Sequence, residues 1–160
     1  MTTAATRPAP IPAGAEGATP YLYIRGAAKA LDFYKRAFGA KEEMRMEGPN
    51  GTIGHAEIAI GKAHVMLADE NAAMNALSPD TLGGTSVSMY VYVEEIDSFF
   101  KRAVAAGATQ LKPVADQFYG DRSGFLKDPF GHQWGFATHV EDVSHEEMER
   151  RAAAMAKAGA

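Results

Sequence analysis

The chain has 160 residues, of which 46% are hydrophobic, and 16 Lys and Arg against 20 Asp and Glu give it a net charge of −4. This length suits one domain or two small modules, and the acidic balance argues against nucleic acid as a partner. Because the sequence contains no cysteine, disulfides, thiolate nucleophiles and Cys-ligated metal sites are excluded. No apolar run approaches the ~20 residues of a membrane span. We therefore expect a slightly acidic cytoplasmic protein that does not enter a membrane.

The first 17 residues have three prolines and no periodic apolar face. Ordering such a segment costs roughly 1–2 kcal/mol per residue with little burial to offset it. We predict a disordered tail over residues 1–17.

Residues 18–70 have the pattern of a strand, a helix and three further strands. Apolar residues recur at helical spacing up to Gly39, a residue type that favours the end of a helix. The predicted elements are a strand at 21–24, a helix at 27–38, a strand at 41–47, and a hairpin of strands 52–60 and 63–68 that turns at Gly61 and Lys62.

The same order of elements recurs in residues 86–140. The sequence FYKRA at 33–37 returns as FFKRA at 99–103, and an internal repeat of this size indicates two related modules. The elements predicted for the second module are a strand at 88–93, a helix at 96–106 and strands at 108–114, 124–127 and 133–138. A turn-rich linker at 71–85 joins the modules, and a C-terminal segment, 141–160, contains a helix that Ser144 caps.

Alternation along the strands separates an apolar face from a polar one. With a two-residue turn, Glu57 lies across from Met66, and Ala59 lies across from His64. One face of this hairpin is apolar and suited to cover a helix. The opposite face holds His55, Glu57, Ala59, His64 and Met66.

Tyrosines follow the same alternation in the first strand of each module. Tyr21 and Tyr23, and likewise Tyr90 and Tyr92 with Ser88, fall on the side away from the helices. Tyrosine combines a large apolar ring with a hydroxyl group, which suits a pocket for small molecules. A half-solvated sheet face or a subunit interface is the alternative explanation.

The repeated modules and the motifs FYKRAFGA (33–40), HAEIAIG (55–61), VMLADE (65–70), DQFYGDRSG (116–124) and KDPFGHQW (127–134) resemble the glyoxalase/bleomycin-resistance/extradiol-dioxygenase (vicinal oxygen chelate) superfamily. The PhnB-like proteins are the branch they resemble most. This resemblance implies an α+β fold of two βαβββ modules that form a cleft, and it covers nearly everything except the tail.

The resemblance also locates the positions that hold a metal ion in the metalloenzymes of this superfamily. These positions fall here on Thr19, Met66, Ser88 and Gly135. Hydroxyls and a thioether are poor ligands for Ni, Zn or Fe(II), and glycine has no side chain. We therefore expect no metal site of the usual kind and no cofactor.

The sequence is consistent with two alternative functions. In the first, the protein binds a flat or aromatic ligand without a metal, with Tyr21, Tyr23, Met66, Tyr90 and Tyr92 as contacts. In the second, it is a glyoxalase- or dioxygenase-like enzyme with a relocated site in which Glu57, His55 and His64 act as acid and base or bind a metal.

The run from Phe118 to Arg122 gives two more candidate ligand contacts, Tyr119 and Arg122. Arg122 lies between two glycines, and an arginine can grip a carboxylate or phosphate with two parallel hydrogen bonds. A salt bridge to the acidic surface is the alternative. The remaining histidines are assigned to a turn cap (His132) and to the surface (His139 and His145). Open sheet edges and the thin C-terminal helix favour a homodimer.

Overall fold

The computed structural model describes residues 8–12 and 17–158, and in them it has two four-stranded sheets and four α-helices. The predicted α+β fold of paired βαβββ modules is confirmed. Most of the predicted tail lies outside the described residues. The elements in chain order are β1 (Tyr21–Ile24), α1 (Ala27–Phe38), β2 (Lys41–Glu47), β3 (Ile53–Ile60), β4 (Ala63–Asp69), α2 (Pro79–Leu82), β5 (Ser88–Tyr92), α3 (Ile96–Ala105), β6 (Thr109–Asp116), β7 (Asp121–Lys127), β8 (Gln133–His139) and α4 (His145–Ala158).

The two sheets have the same topology. Their strand orders are β1-β4-β3-β2 and β5-β8-β7-β6, with a parallel pair at β1–β4 and at β5–β8. The predicted register of the hairpin is confirmed, because Glu57 pairs with Met66 and Ala59 with His64. β1 and β5 are edge strands, so each has one side without a neighbouring strand in its sheet.

Side chains at the ends of β4 and β8 fix the starts of the module helices. The Asp69 carboxylate accepts hydrogen bonds from the backbone N–H groups of Gly26 and Ala27, at 2.9 and 3.0 Å, where α1 begins. In the second module, the Thr138 hydroxyl accepts a 3.0 Å hydrogen bond from the N–H of Ile96 at the start of α3. Such bonds satisfy N–H groups that have no partner within the helix.

The helix-facing sides of both sheets share one hydrophobic core. Phe38, at the end of α1, has its ring centroid 5.1 Å from that of Trp134 and 4.9 Å from that of Phe136, both on β8 of the other module. The Arg102 side chain on α3 adds a 3.0 Å hydrogen bond to the carbonyl of Ala37. Since the inner sides meet in this core, the tyrosine-bearing faces lie on the outside.

The linker between the modules is more ordered than its turn-rich sequence predicts. It contains a short 3-10 helix (Ala72–Met74) and α2. The Glu70 carboxylate anchors it by accepting hydrogen bonds from the N–H and hydroxyl of Ser78, at 3.0 and 2.8 Å, and from the Thr81 hydroxyl, at 2.6 Å. These bonds and the Arg25 guanidinium hold the pKa of Glu70 at about 2.

The predicted boundaries lie within two residues of the observed ones, except for the start of β7. β7 begins at Asp121 rather than at Gly124, so Arg122 lies within a strand and not in a glycine-rich bend. α4 begins one residue later than predicted, and the Ser144 hydroxyl accepts a 3.2 Å hydrogen bond from the N–H of Glu147, as the capping prediction requires. Within the described residues, every helix falls short of the length and apolar character that a membrane span needs.

Candidate functional site

The outer face of the first sheet, here called tyrosine face one, combines aromatic, thioether and titratable side chains. Tyr21 lies beside Met66, which lies beside Glu57, which lies beside Met44, in one row across all four strands. The other side chains on this face are Tyr23, Glu43, Met46, His55 and His64. Although large and partly apolar, they are accessible, with Tyr21 40% and Met46 59% exposed.

Three residues of this face form a hydrogen-bonded chain. The Tyr21 hydroxyl lies 2.8 Å from Nδ1 of His55, and Nε2 of His55 lies 3.1 Å from Oε1 of Glu57. An ionised carboxylate only accepts hydrogen bonds, so Nε2 carries a proton, and Nδ1 of the neutral ring accepts from the tyrosine. Burial, with smaller contributions from Tyr23 and Glu57, raises the pKa of Tyr21 above its ordinary value, which keeps its hydroxyl a donor at neutral pH.

The predicted trio of Glu57, His55 and His64 is split. Nδ1 of His64 lies 2.9 Å from the carboxylate of Glu43, which occupies an irregularity of β2 between Glu42 and Met44. His55 and Glu57 are hydrogen-bonded to each other, whereas His64 belongs to a second pair on the same face.

The outer face of the second sheet, tyrosine face two, is built around Tyr90 and Tyr92. The Tyr90 ring lies 5.6 Å from that of Tyr92 and 6.0 Å from that of Phe125. Gly135 makes room for these rings, because a Cβ there would lie 2.6 Å from Tyr90 and 2.9 Å from Phe125. Burial is the main cause that raises the pKa of Tyr90 to about 12, with smaller opposing contributions from Ser123, which lowers it, and Tyr119, which raises it.

A second hydrogen-bonded chain borders tyrosine face two. The Tyr92 hydroxyl donates to Oδ2 of the buried Asp121 at 2.7 Å, and Oδ1 of Asp121 lies 2.8 Å from Nδ1 of His139. Nε2 of His139 lies 2.9 Å from Oδ1 of Asp142. The hydrogen bonds to Asp121 and Asp142 raise the pKa of His139. While its ring is protonated, His139 can donate hydrogen bonds to both carboxylates.

Two of the predicted ligand contacts, Arg122 and Ser88, have side-chain partners within the protein. Arg122 lies on the helix side of β7, where two 2.8 Å hydrogen bonds tie it to Asp97 on α3 and a 2.9 Å hydrogen bond ties it to Asp116. It therefore makes the salt bridges that were the alternative to ligand recognition. Ser88 lies at the start of β5, and its hydroxyl is 3.4 Å from the side-chain oxygen of Gln133.

Two cavities lie next to the tyrosine faces. A cavity of about 680 Å³, the linker cavity, lies between the edge of β1 at Tyr21–Tyr23, the linker and the first part of β5. A larger one of about 1050 Å³, the hairpin cavity, lies between the β3–β4 turn and the segment from Tyr90 to Glu95. One pair of tyrosines thus lines each cavity.

The positions that the family resemblance assigns to a metal ion carry unsuitable donors. Met66 offers a thioether and Gly135 no side chain, and the Ser88 hydroxyl is near Gln133. Among residues 8–12 and 17–158, no group of three or more His, Cys, Asp or Glu side chains is arranged to hold a metal ion.

Residues 18–136 match the family model described as the Glyoxalase/Bleomycin resistance protein/Dioxygenase superfamily. The chain belongs to this superfamily. Rv0887c, an uncharacterized protein of Mycobacterium tuberculosis (strain ATCC 25618 / H37Rv), is 40% identical over 144 residues, which cover 88% of this chain and 83% of that protein.

Solved structures of the superfamily have the same fold. TioX from Micromonospora sp. ML1 is 27% identical with a TM-score of 0.63, and the match covers 81% of this chain and all of that one. The PhnB protein from Bacillus cereus, a putative 3-demethylubiquinone-9 3-methyltransferase by name, is 20% identical with a TM-score of 0.57, over 77% of this chain and 99% of that one. At that identity the likeness concerns the fold alone.

Sequence reasoning missed several residues of these faces. Met44 and Met46 lie on either side of Arg45 in β2. If the alternation used for the hairpin is applied to β2 as well, both methionines fall on tyrosine face one. Phe125 lies in the predicted strand 124–127, and the same rule places it on the face opposite to Leu126. The Asp121–His139 contact joins residues 18 positions apart on neighbouring strands, and no local pattern indicates it.

Proposed function

We propose that this protein reversibly binds a small, flat organic molecule between tyrosine faces of a cytoplasmic homodimer, as a PhnB-like member of its superfamily. The observation that carries the proposal is the exposure of aromatic and thioether side chains on both outer sheet faces, with Tyr90 42% and Tyr92 58% exposed. Large apolar groups grouped on an otherwise polar surface mark a binding site more often than a solvated one.

A second copy of the chain would supply the missing wall of the site. Both helix-facing sides are used by the common core, so one chain leaves each tyrosine face open. The free edges of β1 and β5 also favour cover by another chain. In the proposed dimer, tyrosine face one of one protomer is opposite tyrosine face two of its partner.

The side chains on these faces suit a planar ligand. Tyrosine rings stack on flat groups, and the methionines adapt to irregular shapes and contact aromatic rings favourably. The hydrogen-bonded chains through His55 and His139 hold the Tyr21 and Tyr92 hydroxyls at fixed positions. The rings supply affinity, and these hydroxyls orient the ligand.

Complementation between two variants tests this arrangement. Tyr23→Ala and Tyr92→Ala each weaken binding of a flat dye about tenfold, because a buried aromatic contact contributes about 1–2 kcal/mol. An equal mixture of the two variants restores full affinity in about a quarter of the sites, since mixed dimers contain one site with both tyrosines. The measurement is fluorescence titration with 9-aminoacridine and with 1-anilinonaphthalene-8-sulfonate, with sedimentation to confirm the dimer.

Val104→Ala, an exposed position on α3, is the matched control and leaves the affinity unchanged. Failure of both dyes to bind, or unchanged affinity in both tyrosine variants, would refute the proposal. If the mixture of the two variants binds the dyes no better than the average of the separate variants, the site shared between protomers is refuted, although ligand binding itself is not.

A glyoxalase-type isomerase is a second candidate, which the Tyr21–His55–Glu57 chain favours. In this function Glu57 takes a proton from a carbon next to a carbonyl group and returns it to the neighbouring carbon. The Tyr21 hydroxyl has a single proton, so it must leave Nδ1 of His55 before it can donate a hydrogen bond to the developing oxyanion. Proton removal and return need no oxidant and no second substrate.

Glu57→Gln distinguishes the isomerase from the binding protein. With the hemithioacetal of methylglyoxal and glutathione as substrate, we expect this variant of the metal-free protein to lose at least a hundredfold in kcat if Glu57 is the base. Glu47→Gln, on the same sheet but exposed, is the control. Absence of turnover in the unmodified protein, after elemental analysis has excluded bound metal, would eliminate this candidate.

A further inference from the structure

The linker cavity has the features of a second ligand site, which borders tyrosine face one at Tyr21 and Tyr23. It lies along the edge of β1 rather than on a sheet face, and Leu77, Pro79, Leu82, Val87 and Met89 give it apolar walls. Its volume of about 680 Å³ is in the range of small-molecule sites. The bonds from Ser78, Thr81 and Arg25 to Glu70 hold the linker that forms one of these walls.

His132 contributes a polar atom that no other contact uses. The residue is only 7% exposed, it lines the cavity, and its Nε2 lies 3.3 Å from the carbonyl oxygen of Tyr23. A carbonyl oxygen only accepts, so Nε2 carries the proton. Burial lowers the pKa of His132, and the neutral ring then presents Nδ1 as an acceptor. No described residue is hydrogen-bonded to Nδ1, and among the described residues no unpartnered side-chain atom is fully buried, so Nδ1 of this cavity-lining residue keeps some exposed surface.

The backbone of β1 supplies further polar groups at the same wall. The carbonyls of Pro20 and Ile24 accept hydrogen bonds from β4. Because backbone groups of alternate residues point to opposite sides of a strand, those of Tyr21 and Tyr23 point away from β4. The Tyr21 N–H is therefore placed to donate to a molecule in the cavity.

The charge of the lining decides the class of ligand. None of the residues that line the linker cavity is Asp, Glu, Lys or Arg. A charged ligand would lose its hydration there without gaining a counter-ion, which is strongly unfavourable. We propose that the linker cavity binds a small, neutral, mostly apolar molecule that donates an O–H or N–H hydrogen bond to Nδ1 of His132, as a phenol does.

Titration with phenol, anisole and benzoate tests the proposal on the full chain. The three probes have similar size, but anisole lacks the donor and benzoate is charged. The readout is the NMR signals of the Met89 methyl group and the His132 ring, both in the cavity wall. We expect phenol to shift these signals saturably, anisole to bind about tenfold more weakly, since one hydrogen bond contributes about that factor, and benzoate not to bind.

Variants that fill the cavity separate this site from the tyrosine faces. Leu82→Trp and Val87→Trp change residues that are 64% and 62% exposed, so the fold tolerates them, and we expect both to abolish the phenol shifts. Val104→Trp, at a 40% exposed position outside the cavity, leaves them unchanged. Equal binding of phenol and anisole, shifts confined to Tyr90 and Tyr92, or undiminished binding in both filled variants would overturn the proposal. Because Tyr21 and Tyr23 also line this cavity, the Tyr92→Ala dye titration is the measurement that is independent of this outcome.

Discussion

Replacing Asp128 by alanine is expected to lower the free energy of unfolding by about 4 kcal/mol, as urea titration monitored by circular dichroism would measure. The carboxylate is 2% exposed and accepts four hydrogen bonds. Oδ2 accepts from the Tyr34 hydroxyl at 2.7 Å and from Nε1 of Trp134 at 2.9 Å. Oδ1 accepts from the backbone N–H groups of Phe130 and His132, at 2.9 and 3.0 Å.

The size of this effect follows from the four donors that lose their partner. Each buried donor without an acceptor costs roughly 1–3 kcal/mol, and relief from burying a charge offsets part of the sum. Because domains of this size are stable by only about 5–15 kcal/mol, the variant should be close to unfolding at ambient temperature.

Two further variants make the Asp128 prediction specific. Asp32→Ala removes an exposed aspartate from α1 and should change the stability by less than about 0.5 kcal/mol. Tyr34→Phe removes one of the four donors, and it should cost less in the Asp128→Ala background than in the native protein, because its acceptor is already gone. A loss below about 1 kcal/mol for Asp128→Ala would contradict the structural role.

Asp128 also shows which structural features a sequence motif can predict and which it cannot. The motif KDPFGHQW marked the superfamily correctly, but Asp128 within it stabilises the fold rather than contacting a ligand. Asp128 organises its own turn and joins it to α1 through Tyr34, 94 residues earlier in the chain. The importance of such a residue is recognisable from the motif, whereas its distant partner is not.

Alternation predicted the face and register of the hairpin because the position of a strand residue depends only on its neighbours and on the turn. It could not predict which polar groups pair across a face. Alternation places His55 and His64 on the same face as Glu57 and does not say which of them contacts it. In the structure, Glu43 lies at a bulge in β2 and is hydrogen-bonded to His64, whereas Glu57 is hydrogen-bonded to His55. Arg122 lies on the helix side because β7 begins three residues earlier than its glycines suggest.

The internal repeat predicted two equivalent modules, but the structure uses them differently. The segment FYKRAF at 33–38 aligns with FFKRAV at 99–104, so Phe38 corresponds to Val104. Phe38 is 3% exposed in the core between the modules, whereas Val104 is 40% exposed. At this position of the repeat, only the first module contributes an aromatic residue to the core between the modules.

We expect Phe38→Ala to lower the free energy of unfolding by about 3–5 kcal/mol, the usual cost of truncating a buried phenylalanine. Its ring contacts two aromatic rings of its own helix and three of the second module, with centroids between 4.9 and 5.8 Å away. The cavity that the truncation leaves lies between the modules, so their coupling should weaken together with the total stability. The unfolding transition should then broaden, with an m-value lower than that of the native protein.

Val104→Ala is the control that the repeat provides, because it shortens the corresponding side chain of α3 where that side chain faces outwards. It should cost less than about 0.5 kcal/mol and leave the m-value unchanged. Tryptophan fluorescence, which reports on Trp134 in the second module, and circular dichroism, which reports on both, should coincide in the control and separate in Phe38→Ala. If the two probes coincide in Phe38→Ala and its stability matches that of the control, the modules are held together by contacts other than this ring.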